Sequence, residues 1–193
     1  MPPIADRRLE ERILKAAQRL WRTHGDQGLT LRAVAKEAGT TTPTLYKRFR
    51  DKKALRLALA LRLRDDLNAE LFSCASLEDV YRRYLGYAEQ HPREYELLRM
   101  AWAPQILMPG TARPGRTWIL RQLALRYGGK PEEYEQFFDV LFLTCHGAAT
   151  LLEAAHDDAS RKLILHHCIR ACDKMMKHVK IFRNGSAMRR APS

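Results

Sequence analysis

Apolar residues recur at three- and four-residue intervals along nearly the whole chain, the period of a helix buried on one face. Within Arg8–His24, Ile13, Leu14, Ala17, Leu20 and Trp21 form a stripe, while Arg12, Lys15, Arg19 and Arg22 fill other faces. Gly25 and Gly28 end that helix. Thr30 then caps a second one, Leu31–Ala38, with Leu31, Val34, Ala35 and Ala38 inward and Gly39 as its stop. After Gly39-Thr40-Thr41 comes Thr42, and Pro43 at the first helical position opens a short third helix to about Arg50, with Leu45 and Phe49 facing in. Asp51 is a cap for a fourth helix, Lys52–Leu71, and Ser76 for a fifth, Leu77–Gln90. The His91-Pro92 step separates the fifth from a sixth, Pro92–Trp102. Residues 103–115 hold three prolines and two glycines and read as irregular. Helix resumes over Arg116–Tyr127 and closes at Gly128-Gly129. Two long helices follow, Glu132–Ala155 and Ala159–Phe182, each about 35 Å if straight. No strand-length alternation, repeat or heptad run interrupts this pattern, so the fold class is all-α.

At 193 residues the chain is long enough for one large helical core or two smaller ones. It shows no secretory pattern at its start, and no run approaching the roughly 20 apolar residues of a membrane span. A cytoplasmic protein with no membrane partner is expected. The net charge of +12 is unevenly placed. Residues 1–55 carry thirteen basic against six acidic side chains, residues 56–173 fifteen against sixteen, and residues 174–193 six against none. An ordered basic N-terminal segment points to a polyanion, nucleic acid first, because neutralising phosphates releases condensed counterions. The basic C-terminal end, 183–193, reads as a solubilising tail.

The segment Thr30–Phe49 has the anatomy of a helix-turn-helix, two short amphipathic helices joined by a turn that begins with glycine. With Leu45 and Phe49 inward, Thr41, Thr42, Thr44, Lys47 and Arg48 face outward. Threonine can bond phosphates or base edges, and Lys or Arg can reach guanine O6 and N7. Lys47–Lys53 has five basic residues and one acid, and Lys52 lies at the start of the fourth helix, where it suits a phosphate.

Leu29-Thr30-Leu31-Arg32-x-Val34-Ala35-x-x-Ala38-Gly39, followed by Thr42-Pro43-Thr44-Leu45-Tyr46-x-x-Phe49-x-x-Lys52-x-x-Leu55, resembles the DNA-binding domain of TetR-family transcriptional regulators. The resemblance covers about residues 8–56. Thr40 departs from it, standing where the family has a small aliphatic residue. The resemblance implies an all-helical homodimer with a DNA-binding domain over 1–55 (helix-turn-helix proper 30–50) and an effector-binding and dimerisation domain over 56–182. Carried over by position, Arg32, Thr42, Pro43, Thr44, Tyr46 and Arg48 would face bases or the groove. Lys52 would meet a phosphate, and Thr30, Thr41 and Lys47 the DNA backbone. The expected function is a repressor that binds an inverted-repeat operator and is released by a small, largely apolar effector.

Farther on, Phe142–Leu152 with its His146-Gly147 step, and Pro92-x-x-Tyr95-x-x-Leu98, resemble one subgroup of TetR-like C-terminal domains. The breadth of the apolar faces of the last two helices suggests burial on two sides, as in a four-helix bundle with a second chain. Candidate effector-lining residues are Tyr84, Tyr87, Met100, Trp102, Trp118, Phe138, Phe142 and His146, with the 103–115 segment as a gate. Four cysteines, Cys74, Cys145, Cys168 and Cys172, form no CxxC pair and read as reduced core thiols; Cys168 and Cys172 share a helix face. No His, Cys or carboxylate set has metal-ligand spacing with a fourth partner, so neither a metal nor a cofactor is expected beyond the small-molecule effector. Nucleophile–base pairs and phosphate-cradling glycine loops are also missing, which argues against an enzyme. A sequence-indifferent basic DNA binder and a small helical enzyme are the alternatives.

Overall fold

A computed structural model describes the backbone of residues 4–107 and 113–183 and the side chains of 7–100 and 113–183. Among the described residues the secondary structure is helical throughout: α1 (Ile4–Gly28), α2 (Leu31–Glu37), α3 (Thr42–Tyr46), α4 (Lys52–Phe72), α5 (Leu77–Gln90), α6 (Pro92–Leu107), α7 (Pro114–Tyr127), α8 (Glu135–Ala154) and α9 (Asp158–Lys177). Short 3-10 turns, Pro131–Tyr134 and Val179–Phe182, precede α8 and follow α9. The expected all-α class is what the chain adopts.

Local chemistry sets most helix boundaries. Gly25, at φ 60°, breaks the regular course of α1 near its end. Glycine reaches that conformation without Cβ strain. The Thr30 side chain accepts the Ala33 amide at the start of α2. At the other end, Thr40 N–H bonds Ala35 O and Gly39 N–H bonds Lys36 O, with Gly39 at φ 62°. This is a Schellman closure. The Asp51 carboxylate accepts the Ala54 amide at 2.7 Å. Ser76 and Asp79 form a reciprocal cap on α5, whose bounds are those expected.

Several boundaries differ from expectation. The cap of α3 is Thr41, not Thr42, because extended Thr41 takes the Thr44 amide on its hydroxyl and leaves Pro43 at the second helical position. α3 also ends at Tyr46, where the Arg48 and Phe49 amides both turn back to Leu45 O. α6 runs past Trp102 to Leu107 and takes in Pro104, so the first part of the expected irregular stretch is helical. One proline removes one helical donor without ending the helix here. α7 begins at Pro114, within the same stretch, whereas residues 108–112, the middle of the expected 103–115 gate, lie outside the described residues. The last two helices each trade a turn of α-helix for a 3-10 turn.

The chain divides into two compact units. The first comprises residues 1–66 and 91–111, and its core holds Ile13, Trp21, Leu29, Val34, Leu45, Leu55, Leu59, Tyr95 and Leu98. Within it α6 grips α1. Glu94, 1% exposed, accepts Gln18 Nε2 at 2.6 Å and Arg22 Nε at 2.7 Å on Oε1, and Arg22 Nη2 at 3.1 Å on Oε2. Trp21 Nε1 donates to Arg93 O at 2.6 Å, and the Arg93 guanidinium donates to the carbonyls of Arg22 and Thr23.

The second unit comprises residues 67–90 and 112–193. There α5, α8 and α9 pack on one another around Leu85, Phe137, Ala149, Cys172 and Met176. Tyr81 donates its hydroxyl to Asp173, which also pairs with Arg82 at 2.8 Å. Burial first, and the carboxylate beside it, push the Tyr81 phenol well above its usual range. Residues 131–154 are long and apolar enough by length and composition to cross a membrane, closer to that limit than the sequence pattern suggested. Two carboxylates of this stretch nonetheless meet Arg116 of α7, Glu135 at 2.9 Å and Asp139 at 4.0 Å, the packing of a helix within a protein.

Candidate nucleic-acid interface

The helix-turn-helix is assembled by burial of one side of two short helices. Leu31, Val34 and Ala35 of α2 and Leu45 of α3 enter the core of the first unit, with Phe49 beneath the following turn. That fixes what faces out. Arg32, Thr41, Pro43, Tyr46 and Lys47 are exposed, and Thr42, Thr44 and Arg48 half-covered. Tyr46 is 55% exposed, so its ring is available beyond the helix packing that it also contributes to.

The hydroxyls of Thr30 and Thr41 each accept a backbone amide as helix caps, and Thr41 Oγ1 lies 2.8 Å from Thr44 Oγ1. A hydroxyl that accepts a cap bond keeps its O–H donor. Thr30 therefore serves the fold through a lone pair and retains a proton to offer a phosphate oxygen, whereas Thr41 shares its hydroxyl hydrogen bond with Thr44.

The cations fall into two groups. Arg48 is only 16% exposed in its side chain and lies 3.5 Å from Glu10 of α1. Lys52 Nζ donates to Asp26 O at 2.6 Å and to Asp26 Oδ2 at 2.8 Å, and Arg56 reaches the same carboxylate at 3.4 Å. The Lys52 hydrogen bond is the largest of the causes that hold Asp26 below its usual carboxylate range, with the charges of Lys52 and Arg56 adding to it. Both Arg48 and Lys52 are thus folded onto acids of the same unit, a feature that composition could not show. Arg32, Lys36, Lys47 and Lys53 make no ion pair among the described residues.

The residues expected around an effector separate. Tyr84 of α5 and Phe138, Phe142 and His146 of α8 come together in the second unit. The three α8 rings stack in a column, with centroids 5.9 and 5.4 Å apart and planes within 11°. Four-residue helical spacing dictates that stacking. Tyr84 meets Phe142 edge-on at 6.4 Å and places its hydroxyl 3.3 Å from His146 Nδ1. Arg116 lies 5.7 Å over the Phe138 ring and closes one end of the column. The contact is the attraction of a cation for a ring face. Trp118 instead pairs with Phe72, centroids 5.0 Å apart, while Tyr87 is half-buried on α5. Met100 is exposed and belongs to the first unit, and the Trp102 side chain lies outside those described.

Folding also gathers three of the four cysteines. Cys145 of α8 meets Cys168 and Cys172 of α9, all three buried, with their sulfurs within 4.8 Å of one another. Cys145 and Cys172 stand 27 residues apart in the chain, which conceals the set from any reading based on ligand spacing.

Comparison with known proteins concurs with this geometry. Residues 13–59 match the family model for bacterial regulatory proteins, tetR family. A 96-residue stretch is 33% identical to the HTH-type transcriptional repressor AcnR of Corynebacterium diphtheriae, spanning 47% of this chain and about half, 49%, of that relative. In fold, the chain is similar to a TetR from Acinetobacter baumannii AYE solved in complex with minocycline, with a TM-score of 0.65 at 16% identity over 90% of this chain and 97% of that one. It is equally similar to the regulator SCO7222, a TetR from Streptomyces coelicolor, with a TM-score of 0.65 at 17% identity over 91% and 99% of the two chains. A helix-turn-helix whose sequence matches the tetR-family model over residues 13–59, carried on a helical fold shared with solved TetR proteins over most of its length, makes this chain similar to TetR-family regulators.

Proposed function

We propose that the protein is a transcriptional repressor that binds an inverted-repeat DNA operator as a homodimer and leaves it when a small, largely apolar molecule binds. The carrying observation is the short α3, which turns Thr42, Thr44 and Tyr46 outward beside Arg32 and Lys47, all within the segment that matches the tetR-family model. A five-residue helix presents few side chains to a groove. Threonine hydroxyls and methyls can discriminate base edges there. Arg32, Thr42, Pro43, Thr44, Tyr46 and Arg48 are assigned to the groove, and Thr30, Thr41, Lys47 and Lys52 to the DNA backbone. Arg48 and Lys52 must exchange Glu10 and Asp26 for DNA in doing so.

The second copy is proposed to dock on α8 and α9. Leu143 and Leu151, 63% and 59% exposed, lie on one face of α8 with Gly147 between them, and Leu163 of α9 is also exposed. A Cβ at Gly147 would meet nothing within 4 Å. Its small size therefore suits close approach by another helix rather than a need of its own chain. The effector is assigned to the Phe138–Phe142–His146 column with Tyr84, a surface of ring faces with one polar pair to orient a ligand. The effector must favour a conformation other than the operator-bound one, since equal affinity for both would shift nothing. The division into residues 1–55 for DNA and 56–182 for effector and partner, acting in the cytoplasm, belongs to the same proposal.

Selection of bound duplexes from a random pool, at moderate and at higher salt, tests the core of it. An inverted-repeat sequence that survives the higher salt is the expected result. Enrichment of nothing, with binding lost at modest salt, would leave a sequence-indifferent basic DNA binder and refute the repressor reading.

A further inference from the structure

Three thiols from two helices converge in the second unit. Cys145, Cys168 and Cys172 are 4%, 6% and 0% exposed, and Cys145 Sγ lies 3.6 Å from Cys172 Sγ. Cys168 Sγ sits 3.8 Å from Thr144 O, on the helix that carries Cys145. An ion bound to three sulfurs through bonds of about 2.3 Å holds them about 4 Å apart. The three sulfurs already lie within 4.8 Å of one another, so rotation of side chains suffices to close such a site.

Charge and coordination number decide what the site takes. No fourth cysteine, histidine or carboxylate joins the set among the described residues. A closed structural zinc site uses four protein ligands, which disfavours zinc here. Three thiolates carry three negative charges, and no described cation is hydrogen-bonded to any of them. Monovalent copper would leave two negative charges uncompensated in an apolar interior, and a divalent ion one. A trivalent centre leaves none, and burial penalises every uncompensated charge. Entry favours the same class, because a hydrated cation must shed its shell to reach sulfurs this deep, whereas a neutral hydroxide complex carries no net charge to desolvate.

We propose that Cys145, Cys168 and Cys172 form a trithiolate site for a trivalent metalloid, taken up as arsenous acid. The step is ligand exchange: As(OH)3 and three cysteine thiols give As(S-Cys)3 and three waters. Three As–O bonds and three S–H bonds break, three As–S bonds form, and each hydroxide leaves with one thiol proton. Arsenic stays trivalent, so no oxidant or reductant is needed, and the product is neutral like its precursors. The product ties α8 to α9 covalently at a level adjoining His146. This site is independent of the operator and of the aromatic column, and stands whether or not either assignment holds.

The test uses the reduced full-length chain with sodium arsenite as probe, read by native mass spectrometry. The expected product is one adduct per chain whose mass gain equals one arsenic less three hydrogens, formed also in excess zinc. Cys145→Ala, Cys168→Ala and Cys172→Ala should each lose it, while Cys74→Ala, which alters the one cysteine outside the set, should keep it. Arsenic X-ray absorption on the unmutated chain should count three sulfur neighbours and no oxygen, a readout that does not depend on any variant folding. Two sulfurs by absorption, an adduct that persists in Cys145→Ala, or displacement by zinc would each overturn the proposal.

Discussion

Glu94 is the buried charged side chain among the described residues of the first unit. It carries a fully buried carboxylate that takes the Gln18 and Arg22 donors of α1, and Glu94→Ala would orphan the Gln18 amide and leave a small void. Hydrogen bonds to a charged group contribute about 1.5–3 kcal/mol each. Arg22 is 52% exposed in its side chain and can rehydrate when released, so the three bonds do not sum. We expect Glu94→Ala to cost about 2–3 kcal/mol, less than the roughly 3–5 kcal/mol of breaking a fully buried pair, because the released Arg22 rehydrates. Glu94→Gln keeps the shape and one acceptor but turns an NH2 group toward Arg22 or Gln18, for about 1–2 kcal/mol. Urea unfolding followed by circular dichroism gives both numbers, and a cycle with Arg22→Ala isolates the pair, with a coupling of about 1 kcal/mol or more expected. If both Glu94 variants unfold within about 0.5 kcal/mol of the parent, the attribution of the α1–α6 junction to this carboxylate is wrong.

Four further outcomes follow from the geometry. Asp26→Asn frees Lys52 and Arg56 and should raise affinity for random duplex more than for the operator, narrowing the ratio between them; weaker binding would mean that Asp26 holds the two cations in place for DNA. Thr41→Ala removes the α3 cap and should lower stability by about 1 kcal/mol in urea unfolding while weakening operator binding more than random-duplex binding. Leu143→Glu and Gly147→Arg should leave the helical circular dichroism unchanged yet shift sedimentation to the monomer, and an unaltered dimer would remove α8 from the proposed partner surface. Asp26 and Glu78 have carboxyl groups held below their usual range, chiefly by hydrogen bonds from Lys52 and Arg126 respectively. Their folded pKa values lie below the unfolded ones, so their contribution is full above the ordinary carboxylate range and is lost as pH falls through the depressed values. The urea midpoint should therefore fall in that acid window, and less so in an Asp26→Asn, Glu78→Gln double variant.

What the sequence disclosed follows the range of the interaction. Caps at Thr30, Asp51 and Ser76, and the stop at Gly39, are settled by atoms close by in the chain, and each was legible. The inward faces of α2 and α3 were legible too, since a repeating stripe needs no knowledge of its partner. Thr41 and Thr42 compete for one cap with the same hydroxyl chemistry, so their order is decided by backbone geometry that the sequence does not state. The helical course of residues 103–107 was hidden because Pro104 signals a break even where the helix continues through it. Glu94 on α1, Asp26 on Lys52 and the meeting of Cys145 with Cys168 and Cys172 are all contacts between distant residues, for which periodicity offers no signal.

The pairing of acids and cations in the first 55 residues gives the basic face two electrostatic settings. Glu10, Glu11, Asp26, Glu37 and Asp51 each hold a cation, on Arg48, Lys15, Lys52, Arg19 and Arg50 respectively. Under the proposed function, random DNA draws no side chain to a fixed position and leaves these internal pairs in place, so that the first 55 residues present Arg7, Arg8 and Arg12 of α1 with Arg32, Lys36, Lys47 and Lys53. On a matching site, the proposed docking of α3 would bring base edges within reach of Arg48 and a phosphate within reach of Lys52, which would then change partners. Such an exchange would leave weaker grip during the search and add hold only after the groove has been read, so that part of the proposed sequence discrimination would reside in Glu10 and Asp26 of α1.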